Sequence, residues 1–87
     1  MKRNKTLCVK ILEYYIEKHN GYDVLGEEFL PHVEGVGNIE MLGHLCLMKD
    51  AGFIKGEFES QSDFLFSAIT WAGYDFYEEN RTNPRNA

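Results

Sequence analysis

The chain has 87 residues, with 14 Asp and Glu against 9 Lys and Arg and a net charge of −5. That length fits one domain with a thin core, in which each large side chain counts. No apolar run approaches the ~18 residues of a membrane span, and the charged opening MKRNKTLCVK does not read as a signal peptide. Cys8 and Cys46 both sit among apolar neighbours, which predicts two buried thiols in a reducing, cytoplasmic setting. Charge is uneven along the chain. Lys2, Arg3, Lys5 and Lys10 crowd the start, whereas residues 19–80 hold two bases and twelve acids, a net −10.

Asn4 is placed to cap a helix that runs to about His19, where Asn20-Gly21 supplies a left-handed stop. At 100° per residue, Thr6, Lys10, Glu13 and Glu17 fall on one narrow strip, and apolar residues fill the rest of the circumference. A helix that is apolar over most of its surface is buried on several sides, which makes this the central helix. From Tyr22 to Gly37 the signals conflict, and residues 28–34 fit a short helix and a short strand equally. Asn38 is the expected cap of a second helix ending at Gly52. Its expected core face is Ile39, Met41, Leu42, Leu45, Cys46 and Met48, and its polar arc is Glu40, Gly43, His44, Leu47 and Asp50.

The runs FIKGEFE and DFLFSAIT have strand propensity and are joined by Ser60-Gln61-Ser62, which predicts an antiparallel hairpin. Thr70 is placed to cap a last helix from Trp71 to Asn80. Gly73, Tyr74, Phe76 and Tyr77 share its apolar arc, with Gly73 expected to let the backbone close on the first helix. Trp71 lies at the edge of that arc. The tail RTNPRNA has no apolar content and reads as disordered from 81 to 87. Helix, short element, helix, hairpin and closing helix is the order of an α+β winged-helix domain over residues 1–80, with residues 59–63 as the wing.

HLCLMKDAGFIKG and ITWAGYDFYEEN resemble small winged-helix proteins of unknown function from phages and prophages. One such family carries His-Leu-x-Leu-Leu-x-x-Ala-Gly-Leu-Ile and later Leu-Thr-Trp-x-Gly-His-x-Phe. The YjcQ-like phage proteins show a similar Gly-aromatic-hydrophobic-Lys-Gly stretch. His44, Leu45, Leu47, Ala51, Gly52 and Ile54 fall on the first motif, and Thr70, Trp71, Gly73 and Phe76 on the second. Met48, Phe53 and Tyr74 depart from the pattern. The resemblance spans residues 38–80, implies the fold and a phage or mobile-element origin, and brings no active site with it.

The residues themselves predict no enzyme. Nucleophile elbow, phosphate loop and His-Glu-x-x-His are all missing, and Glu27-Glu28 and Glu78-Glu79 are neighbours that do not face each other on a helix. Cys8, His19, His32, His44 and Cys46 match no zinc spacing, so neither metal nor cofactor is expected. His44 is expected at the border of the polar arc, on the surface. Glu40, Gly43, His44, Leu47 and Asp50, with Glu57, Glu59 and Asp63 on the wing, form the candidate partner-binding set. They fit a protein with a basic surface or a second copy of the chain, and an acidic inhibitor of a host nucleic-acid-binding or defence complex is one such role. The alternative is a small dimeric DNA-binding regulator gripping phosphate through Lys2, Arg3, Lys5 and Lys10.

Overall fold

A computed structural model describes residues 2–21, 30–59 and 63–81. Among them the chain runs α1 (Lys5–His19), α2 (Asn38–Asp50), β1 (Ile54–Phe58), β2 (Phe64–Ile69) and α3 (Trp71–Asn80). The result is an α+β fold of three helices and one two-stranded antiparallel hairpin, compatible with a winged-helix layout. Residues 28 and 29 of the ambiguous stretch lie outside the described set, and residues 30–34 form neither helix nor strand. Ser60–Ser62 of the wing and residues 82–87 of the tail also lie outside it.

The two ends of α1 follow from their residues. Asn4 accepts the Leu7 N–H on its side-chain oxygen at 3.1 Å. At the other end Asn20 turns left-handed with φ 54°, and the Asn20 and Gly21 N–H groups close onto the carbonyls of Ile16 and Tyr15 at 3.0 Å each. This stop also joins α1 to the hairpin, because the Gly21 carbonyl accepts the Ile69 N–H at 2.8 Å. Leu7, Cys8, Ile11, Leu12 and Tyr15 are buried, while Thr6, Lys10, Glu13 and Glu17 face solvent. Tyr15 stacks on Phe66 of β2 with ring centroids 3.6 Å apart, so α1 and the hairpin share one core.

In the hairpin Ile54 pairs with Ile69 and Phe58 with Phe64, with a bulge between Lys55 and Gly56. Gly56 is buried at that bulge, and a Cβ there would meet the Phe64 ring and the Leu65 carbonyl. A glycine in a strand commonly marks such a close approach. Thr70 then caps α3 as its sequence predicts, accepting the Gly73 N–H at 3.0 Å. Its hydroxyl donates to the Gly52 carbonyl, and its own N–H donates to the Phe53 carbonyl at 3.0 Å. One threonine therefore ties the start of α3 to the turn after α2. Tyr77 reaches α1, where its hydroxyl donates to Glu13 at 3.2 Å.

Three expectations are corrected. The N-cap of α2 is Gly37, not Asn38, and no side chain caps the helix. Gly73 closes on Phe53 and Ile69 rather than on α1: a Cβ at Gly73 would run into the Phe53 carbonyl oxygen and lie 2.8 Å from Ile69 Cγ2. The third correction concerns which face of α2 is inward. The buried residues are Met41, His44, Leu45 and Met48, whereas Ile39 is 88% exposed and Cys46 is also on the surface. At 100° per residue, the true inward face is rotated about 80° from the expected one.

The Gly73 geometry gives a stability test. In an open helix, Gly73→Ala would gain up to about 1 kcal/mol of helix propensity. Here the methyl displaces the Phe53 backbone, so the substitution should instead destabilise by about 1–3 kcal/mol in a urea titration. A variant as stable as the parent would mean that α3 stands off from Phe53.

Candidate functional site

The rotation of α2 has an identifiable cause. His44 is completely buried, and both ring nitrogens have backbone partners from different elements. The Asn4 N–H donates to Nε2 at 3.0 Å, which leaves Nδ1 to carry the ring proton and donate it to the Glu40 carbonyl at 2.9 Å. A buried ring nitrogen without a partner costs about 1–3 kcal/mol; with both satisfied, histidine packs as a core residue. The expectation of a surface His44 in a partner-facing arc is therefore overturned.

Asn4 acts twice in this arrangement: its side chain starts α1 while its backbone N–H holds His44. The basic start of the chain is thereby laid along α2. Lys2, Arg3, Asn4 and Lys5 share a cleft with Gly37, Asn38, Ile39 and Glu40 at the first turn of α2. Arg3 and Lys5 also line a second groove with Leu47 and Asp50, floored by Cys8, Met48, Phe53 and Phe76. Bases and the carboxyl-bearing residues Glu40 and Asp50 thus share the same flank. Lys10 lies apart, in a groove with Glu13, Glu79, Asn80 and Arg81.

The other candidates divide accordingly. Glu40 and Gly43 are half-buried, Leu47 is just on the surface at 37% exposure, and Asp50 is exposed. Glu57 and Glu59 are exposed and Asp63 half-exposed at the far end of the hairpin, where the Glu59 N–H bonds the Asp63 carbonyl at 3.1 Å.

Sequence reasoning placed Gly43, Leu47 and Asp50 on the outward side of α2 but missed Ile39 and Cys46 there. With Met41, His44, Leu45 and Met48 inward, the opposite side is centred on the exposed Ile39, Cys46 and Asp50 and the half-buried Gly43, flanked by the half-buried Leu42 and by Leu47. Asn38 and Lys49 fall off the stripe. The signal was present in the sequence as an apolar residue at nearly every angle of α2, but nothing local says which ones turn outward. Trp71, 85% exposed at the start of α3, is a second apolar side chain in solvent.

The thiols differ in the same way. Burial pushes the Cys8 thiol above its ordinary pKa, an effect that the nearby Arg3 guanidinium partly offsets, while Cys46 is exposed. Among the described residues, no three His, Cys, Asp or Glu side chains are grouped to hold a metal ion, and no helix is long and apolar enough to cross a membrane. Comparison with family models, curated proteins and solved structures finds no match to this chain.

Two measurements check the orientation of α2. His44→Ala should destabilise the fold by about 2–4 kcal/mol, from a cavity plus an unpaired Asn4 N–H, and should expose the Asn4 amide to exchange. Loss below about 0.5 kcal/mol, the usual range for surface substitutions, would place the ring at the surface. In a dilute native sample an aromatic disulfide reagent should react quickly with Cys46 and with Cys8 only on unfolding. Cys46→Ser should remove the fast phase; two fast thiols, or none, would contradict the geometry.

Proposed function

We propose that this chain is a winged-helix protein that acts by binding another protein and performs no chemistry of its own, with α2 in the recognition-helix position and the β1–β2 hairpin as the wing. The observation that carries this reading is the outward stripe of α2. A helix that reads base edges presents side chains such as Arg, Asn and Gln, whose paired hydrogen bonds match guanine and adenine. Ile39, Leu42, Gly43, Cys46 and Leu47 present none, and Asp50 adds a carboxylate that would face phosphate. Against a groove edge this surface would leave polar base atoms dehydrated and unpaired. Against a protein it offers exposed apolar side chains at Ile39 and Leu47.

The partner's charge follows from the rest of the molecule. Glu57, Glu59 and Asp63 make the hairpin end acidic, and residues 19–80 carry a net −10. Such a field favours a basic target and speeds encounter with it. A host or defence complex that handles nucleic acid has a basic surface of this kind, and an inhibitor occupying it needs no catalytic residue. The resemblance to small phage winged-helix proteins supports that setting, and the two free thiols suit the cytoplasm.

A second reading, a DNA-binding regulator, is favoured by one observation. Lys2, Arg3 and Lys5 lie beside the first turn of α2, whose N–H groups lack a side-chain cap. A duplex titration separates the two. Labelled DNA in ~50 mM salt should show no saturable binding below roughly 100 μM, the weak end of non-specific affinity. Micromolar or tighter binding that falls steeply with salt, and that is lost when Lys2, Arg3 and Lys5 are changed to Gln, would replace the protein-contact reading with the DNA one.

A further inference from the structure

We infer that the groove between the start of α1, the C-terminal end of α2 and α3 is a binding site for the C-terminal residue of a partner polypeptide, one that ends in a large apolar side chain. This inference rests on the reading of the chain as a protein binder and names the part of the partner that it holds. The groove has a volume of about 330 Å³, at the small end of the range for ligand sites. Space on that scale admits one residue rather than a helix or a strand.

The floor of the groove is apolar and backed by the core. Cys8 and Met48 are buried, and the half-buried Phe53 and Phe76 rings stack with centroids 4.6 Å apart at 27°. An incoming aromatic or branched side chain meets ring and thioether surface here, and both favour such contacts. The rim is charged: Arg3 and Lys5 stand on the α1 side and Asp50 on the α2 side. Burial raises the Cys8 thiol and the Arg3 guanidinium partly counters it, so positive charge bears on the floor as well as on the rim.

Charge complementarity selects the occupant. A neutral apolar group would cover the floor but leave the rim charges dehydrated and unpaired. A basic side chain would meet Arg3 and Lys5, and a dianionic phosphate would meet Asp50. A chain end satisfies all three rim residues. Its α-carboxylate suits the Arg3 fork and the Lys5 ammonium, in the charge-assisted pairing that arginine makes with carboxylates. Its backbone N–H donates to Asp50, and its side chain enters over Phe53 and Phe76. These groups all branch from one Cα, so a groove of one-residue size takes them together, and capture of a terminal carboxylate is a recurring mode of peptide recognition. The acidic end of the hairpin lies roughly 16 Å along β1 from Phe53. It stays available for a basic surface of the same partner.

Fluorescence anisotropy of a labelled Gly-Ser peptide ending in Phe, titrated with the full chain to about 1 mM, tests this. The expected Kd is roughly 100 μM, in keeping with a contact of about a dozen heavy atoms. Amidating the terminal carboxylate, or ending the peptide in Gly, should weaken binding at least about tenfold, equivalent to about 1.4 kcal/mol. Arg3→Gln combined with Lys5→Gln should do the same, with circular dichroism melting unchanged. The backbone amides of Met48, Phe53 and Phe76 should shift in a nitrogen–proton correlation spectrum as the free-acid peptide is added. Absence of saturable binding over that range, or binding that amidation or loss of the two bases leaves unchanged, overturns the inference. The duplex titration bears on the protein-contact reading and the peptide titration on this groove, so the two failures are distinguishable.

Discussion

One imidazole determines how this small fold presents itself. His44 stands in the core with its two nitrogens bonded to the Asn4 N–H and the Glu40 carbonyl, at 3.0 and 2.9 Å. The first bond spans 40 positions in sequence and anchors the start of α1 to the middle of α2. The second is made within α2 and fixes the ring's direction. Since a buried imidazole tolerates neither nitrogen unpaired, α2 is held at the rotation that keeps both bonds, and Ile39 and Cys46 are turned to solvent as a consequence.

The rest of the packing accommodates this choice. Tyr15 against Phe66 and Phe53 against Phe76, with centroids at 3.6 and 4.6 Å, fill the space between α1, the hairpin and α3. Thr70 bonds Gly52, Phe53 and Gly73 together, so the turn after α2 and the start of α3 behave as one joint. In a domain this short such joints matter, because the buried fraction of the surface is only about 60% and the core has little redundancy. The functional consequence lies at the other end of α2. The joint at Asn4 lays Lys2, Arg3 and Lys5 along the first turn, and Arg3 and Lys5 also border the groove beside Leu47 and Asp50. That flank of α2 therefore carries bases and carboxylates together, next to the exposed Ile39 and Leu47.

What the sequence made legible was whatever is decided locally. Asn4, Asn20-Gly21 and Thr70 announce the ends of α1 and the start of α3 through bonds to residues a few positions away, and each forms as expected. The hairpin followed from two strand-forming runs of apolar and charged residues. In α2 that approach failed, because the helix is apolar at almost every angle and hydrophobic pattern alone selects no face. Choosing the face with the most apolar residues directed Ile39 and Cys46 inward and His44 outward, the reverse of what the Asn4 contact enforces. The acidic hairpin end was legible from Glu57, Glu59 and Asp63. The convergence of Lys2, Arg3 and Lys5 on α2 was not, since it depends on a tertiary bond that composition cannot disclose.

The most direct test is the protonation pattern of the His44 ring, read from a long-range nitrogen–proton correlation spectrum at neutral pH. The account predicts a neutral ring with its proton on Nδ1, slow to exchange, and an Asn4 amide protected to the same degree. A freely exchanging ring with the proton on Nε2, beside an unprotected Asn4 amide, would contradict it and release α2 from the orientation on which the functional reading depends.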